Sequence, residues 1–201
     1  ALAVISSAFF GISRPVASQS TTLRADALVI VNSNSGAFFH YTQWIQPYLD
    51  HFGIPYTSWD LAANPIPPDF SSFAVIIIGH DELDYYSTIL TPAIQAQITQ
   101  AVAAGTGLVN FDTFLATGDY QNYYSYIQNL FGFQFYSTPN DTILSILPSP
   151  ALGGYISEIQ TPGSVYTLRN PIPHLGILPG DGAEVLANIG TDPLLIADTY
   201  G

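Results

Sequence analysis

The stretch Phe73-Ala74-Val75-Ile76-Ile77-Ile78-Gly79-His80-Asp81-Glu82-Leu83-Asp84 decides the fold. Four successive branched apolar residues, Val75 to Ile78, leave no polar face, so the strand they predict is buried on both sides, as in a parallel sheet covered by helices. The run stops at Gly79 and the chain turns at once into ionisable residues. That is how a central strand of such a sheet ends where its carboxyl end meets solvent.

The same punctuation extends outward in both directions. Upstream, Ala27 to Val31 is a short apolar strand ending in the polar turn Asn32 to Gly36. Trp44, Ile45, Tyr48, Leu49 and Phe52 follow at helical spacing until Gly53, and Pro47 is compatible with that helix if it lies in or near a first turn. Residues 55 to 61 read as a second strand. Downstream, Thr91-Pro92 is an N-cap followed by proline at the first helical position, with Ile94, Ile98 and Val102 on one face and Gly105 as the stop. Leu108 to Phe111 reads as the fourth strand and residues 121 to 131 as a third helix. This β-α-β-β-α-β-α order predicts an open, mostly parallel, flavodoxin-like α/β sheet with helices on both faces. Beyond Gly132 short strand-like pieces rich in Pro, Gly, Ser and Thr predict a β-rich insertion, after which residues 184 to 189 and 193 to 198 are expected to close the sheet.

Residues 1 to 12 are an apolar run, too short to span a bilayer and without a basic segment before it. We read residues 1–25 as an N-terminal arm and linker and 26–201 as one α/β domain. The arm residues Leu2, Val4, Ile5, Phe9, Phe10 and Ile12 are expected to lie against their own domain or a neighbour. Because the first residue is alanine, a processed or partial chain is expected.

The 201 residues carry no cysteine, methionine or lysine, and three arginines against fifteen carboxylates leave a net charge of −12. Nucleic acid is therefore not an expected partner, since neutralising phosphates requires a basic face. With only 9% charged residues, the surface is covered by Ser, Thr, Asn, Gln and Tyr, which suits an extracellular or cell-surface protein. The sequon Asn140-Asp141-Thr142 marks Asn140 as a glycosylation candidate.

Ligands of open α/β sheets collect at the carboxyl ends of the strands, and that rule selects Asn32, Ser33, His80, Asp81, Glu82, Asp84 and Asp112 as a candidate ligand or metal pocket. Their oxygens suit Ca²⁺, yet no Asp-x-Asp-x-Asp-Gly spacing is present, and caps on backbone amides explain the same carboxylates; no cofactor is expected. A hydrolase would take Ser33, Ser35 or Asp112 as nucleophile and His80 as base, but there is no Gly-x-Ser-x-Gly elbow. His40, His51 and His174 are expected to be satisfied surface or capping residues. Neither Gly-x-Gly-x-x-Gly nor a P-loop lysine supports nucleotide binding. Exposed tyrosines among Tyr85, Tyr86 and residues 120 to 126 would suit a sugar or an interface.

Together with the strand order, Ala104-Gly105-Thr106-Gly107-Leu108-Val109-Asn110-Phe111-Asp112 and the run Pro193 to Gly201 resemble the class I glutamine amidotransferase-like superfamily, and within it the ThuA-like group. Asn170-Pro171-Ile172 is similar to that group's His-Pro-Ile element, with Asn in place of His. The resemblance implies a cysteine nucleophile in a strand-to-helix turn with a histidine base. No cysteine exists here, so glutaminase activity is not expected. The group's last strand would begin after Tyr200-Gly201, and the arm at residues 1 to 12 could complete the sheet of an adjacent subunit, or fold on its own domain. The expectation is a secreted, catalytically silent domain that forms a homo-oligomer or polymer, such as an extracellular filament, through its arm, with a glycan as a further candidate partner. The alternative is a carbohydrate-active or hydrolytic ThuA-like enzyme using the acidic loop.

Overall fold

The computed structural model describes residues 26–86, 88–117, 125–147 and 163–200. Strands β1 (Ala27–Val31), β2 (Tyr56–Asp60), β3 (Val75–Ile78) and β4 (Gly107–Asn110) form an all-parallel sheet in the order β2-β1-β3-β4. Ala27 stands opposite both Tyr56 and Val75, and Ile30 opposite both Trp59 and Ile78.

Although β1 and β3 are apolar throughout, their side chains alternate between two separate cores, as the pleat requires. Leu28, Ile30, Ile76 and Ile78 pack with Ile98 and Ala101 of α3 (Pro92–Ala103), and with Leu115 and Ile127 from the short helices α4 (Thr113–Thr117) and α5 (Ser125–Leu130). Val29, Val31 and Ile77 face the other way, onto Tyr41 and Leu49. Thr91 caps α3 through its side chain, and Gly105, at φ +108°, follows its end.

Handedness determines which face each connection covers. The step from β1 to β2 runs one way along the sheet, and the next two steps run the other way. Right-handed crossovers therefore place the first connection on one face and the following two on the opposite face. Phe70, Phe73 and α3 duly share one core, while the first connection makes the other. Among the described residues no crossover covers β4 on the first face, where Val109 is 38% and Phe111 48% exposed.

The first connection is one continuous helical run made of α1 (Phe38–His40), a π-turn (Tyr41–Ile45) and α2 (Gln46–His51). The amide of Gln46 bonds the carbonyl of Tyr41, five residues back. Pro47, which has no N–H, sits just after this change of register, in the first turn of α2. The wider turn rotates the buried stripe. Tyr41 and Leu49 are buried and Ile45 packs beside them, whereas Trp44, Tyr48 and Phe52 are exposed.

The second half departs from expectation. Residues 184 to 189 and 193 to 198 do not close the parallel sheet. Strands β9 (Glu184–Ile189) and β10 (Asp192–Ala197) pair antiparallel and join β6 (Asn140–Ile146) and β7 (Val165–Pro173) in a separate sheet ordered β10-β9-β6-β7. A two-stranded antiparallel pair, β5 (Phe133–Ser137) with β8 (Gly176–Pro179), stands beside them. The short connection at Gly190-Thr191 leaves no room for a crossover, so β9 and β10 can only form a hairpin. The helix expected over 121–131 is described from Ser125 to Leu130. The arm residues Leu2, Val4, Ile5, Phe9, Phe10 and Ile12 lie outside the described residues. Among the described residues no helix is long and apolar enough to cross a membrane.

Candidate functional site

Three loops meet at the carboxyl ends of β1, β3 and β4, and they are locked together by side chains that bond main chain. The loop after β3 begins at Gly79, where an added Cβ would lie 2.9 Å from Val29 Cγ1 and 3.0 Å from the Ile30 carbonyl. Only glycine allows β3 to leave the sheet so close to β1.

His80 is buried, at 1% exposure. Its Nε2 accepts the Asn32 amide at 2.8 Å, so Nδ1 carries the proton and donates to the Asp81 carbonyl at 2.7 Å. Burial depresses the pKa of the imidazole, favouring the neutral ring that this pattern needs. The Asn32 side chain completes the joint by donating to the Leu83 carbonyl at 2.7 Å.

Asp112, also 1% exposed, holds the third loop. One oxygen accepts Leu83 N–H at 2.9 Å, and the other accepts Phe114 and Leu115 N–H at 2.8 and 3.1 Å, which caps α4. Burial pushes its carboxyl up to about 7, against the pull of these three donors. Asp81 accepts both the amide and the hydroxyl of Thr113, at 2.7 and 2.6 Å. Asp84 is buried and closes its own loop, taking the amides of Thr88, Ile89 and Leu90 at 2.8 to 2.9 Å.

Ser33 belongs to a different contact. Its amide donates to Asp60 at 3.0 Å, at the end of β2. Although burial raises the Asp60 carboxyl, the amides of Ser33 and Ala62 hold it below the usual range. Ser35 Oγ accepts the Ala37 amide. His80 is thus joined to Asn32 and Asp81 and not to a serine hydroxyl, and Asp112 to main-chain amides. Among the described residues no group of three or more His, Asp or Glu side chains could hold a metal ion.

Glu82 differs from its neighbours. It is the single non-glycine with positive φ (52°) among the described residues, and its carboxylate has no hydrogen-bond or ionic partner there. It lines a cavity of about 570 Å³ with Asn32, Asn34, Tyr85, Tyr86 and Phe114. The ring of Tyr85 stands edge-on to both Tyr86 and Phe114, with centroids 5.1 and 5.5 Å apart, and Tyr86 is 82% exposed. Its volume falls within the range of small-molecule sites, and its lining is more polar than most of them. Asn34 and Phe114 were not singled out as site residues from the sequence. Phe114 carried a weak signal, since it precedes Leu115, which the core takes, and must therefore face elsewhere.

Elsewhere, Asn140 is exposed at the start of β6, and His174 is buried, its Nε2 3.1 Å from Asp192, which also accepts the Tyr136 hydroxyl. The Tyr136 bond, with that of His174, holds the Asp192 carboxyl below its ordinary range. The three residues tie β5, the connection from β7 to β8, and β10 together, a link their separation along the chain hides.

No family model matches the sequence, and no curated protein matches it. Among solved structures, a ThuA-like protein from Bacteroides uniformis is similar over 88% of this chain and 74% of its own, with a TM-score of 0.52 and 14% identity. At that identity the likeness establishes architecture alone: the chain has a ThuA-like α/β fold.

Proposed function

We propose that this chain is a catalytically silent ThuA-like domain that holds a polyhydroxylated, sugar-like ligand in the cavity at the strand ends. One observation carries this reading: His80, Asp81, Asp84 and Asp112 are engaged in holding loops, which leaves Glu82 without a basic or nucleophilic side chain among them to work with, while Tyr86 and Asn34 of the cavity lining face solvent. A histidine whose Nε2 already accepts a main-chain amide has no lone pair for a substrate proton. Tyrosine rings supply stacking surface, and the Asn34 side chain supplies the paired donor and acceptor that hydroxyls need. The test is titration calorimetry with a panel of oligosaccharides. Binding that Tyr86→Ala weakens at least tenfold, with no product formed on long incubation, supports the reading. Turnover that disappears in His80→Gln would replace it with the carbohydrate-active enzyme.

Assembly is the second reading, favoured by the exposed face of β4. In a protein displayed outside the cell, the apolar arm from Leu2 to Ile12 would supply the missing cover in a neighbouring copy and link subunits into an oligomer or filament. β4 offers an unpaired edge among the described residues and bears no lysine or proline to discourage pairing. Mass photometry of the chain with and without residues 1 to 12 decides it. Loss of oligomers on deletion supports the arm as connector, and two equally stable monomers dismiss it.

A further inference from the structure

The cavity carries a charge that nothing among the described residues balances. Asp81, Asp84 and Asp112 are each fixed by main-chain or threonine donors, so they form no open acidic cluster. Glu82 alone among the carboxylates of this loop is left without a partner among the described residues, and it is half-buried in a strained left-handed conformation. That backbone geometry is disfavoured for a residue with a side chain, and it persists only where the surrounding loop dictates it. Among the described residues no arginine lines the cavity, and Arg169, the only one of them, lies on β7 in the other sheet. The described lining therefore offers no cation to a phosphate or a carboxylate, and the net charge of −12 opposes either.

A positive ligand gains twice in this setting. Glu82 gives it an ion pair at the wall, and the exposed face of Tyr86, beside Tyr85 and Phe114, gives it a cation–π surface. Asn34, exposed in the lining, is left to read neutral hydroxyls. Resting on the reading of this cavity as a sugar site, we propose that its ligand bears a free ammonium group, an amino sugar with unmodified amine, and that Glu82 selects for it.

The probes are three tetrasaccharides of similar shape: the glucosamine tetramer, its N-acetylated counterpart and the glucose tetramer, each titrated into the full chain at pH 6. We expect the glucosamine tetramer to bind at least tenfold more tightly than the other two. Glu82→Gln should reduce it to their level and leave their affinities unchanged. Asp181→Asn, which removes one charge from an exposed turn remote in sequence from the cavity loops, is the control for general attraction to an acidic protein. If it erodes the preference as much as Glu82→Gln does, or if the preference survives Glu82→Gln, the proposal is overturned. Equal binding of all three, weakened alike by Tyr86→Ala, overturns amine selection and leaves the sugar site standing. Binding by none overturns both.

Discussion

Two buried residues at the strand ends, Asp112 and His80, respond to pH in opposite directions. The Asp112 carboxyl is raised from 3.8 to about 7 in the folded chain, so the stability it contributes is complete below pH 4 and is lost as pH rises towards 7. The imidazole of His80 is lowered from 6.5, so its contribution is present above that value and is lost on acidification. Asp112→Asn keeps an oxygen for Phe114 and Leu115 but turns its NH2, a donor, towards the Leu83 N–H, at a cost of about 1 to 3 kcal/mol. Urea unfolding from pH 4 to 8 should show the variant losing stability steadily below pH 6.5, without the opposing gain the parent shows at low pH. A variant profile parallel to that of the parent would count against this assignment. Sequence located both residues correctly at strand ends. Their tasks were not legible, because a cap and a catalytic acid use the same side chain, and only the identity of the donors separates them.

At the scale of elements, the parallel strands were legible because runs such as Val75 to Ile78 have few alternatives, and Thr91-Pro92 marked the start of α3 within a residue. Helical spacing was less informative in the first connection. It grouped Trp44, Ile45, Tyr48, Leu49 and Phe52, but the π-turn divides them into a buried and an exposed set. Leu49→Ala should therefore cost about 2 to 5 kcal/mol, as burial in a packed core implies. Trp44→Ala, at a position 66% exposed, should stay within about 0.5 kcal/mol. Thermal unfolding of the two variants checks this, and similar losses in both would show that the aromatic stripe is covered in solution. The hairpin of β9 and β10 escaped because a short apolar strand looks the same in either kind of sheet. Partner and direction are set by the connection, and the turn at Gly190 was the clue.

The molecule as a whole is lopsided. Two of its three crossovers lie on one face of the parallel sheet, and among the described residues the other face is covered over β1 but not over β4. Replacing Val109 and Phe111 with threonine keeps β-propensity while removing the apolar patch. The double variant should fall in apparent mass at high concentration, by sedimentation, with a melting temperature within a few degrees of the parent. A large drop in melting temperature would mean that these residues pack within the monomer. The position of β1 has a mechanical consequence. The strand that follows the arm is the centre of the sheet, paired along its length with β2 on one side and β3 on the other. A pull on the arm along the strand direction would load both ladders in shear, many bonds at once. The outer hairpins, whose bonds can open one after another, would give way first. A domain tethered by this end would resist extraction longest at its tether.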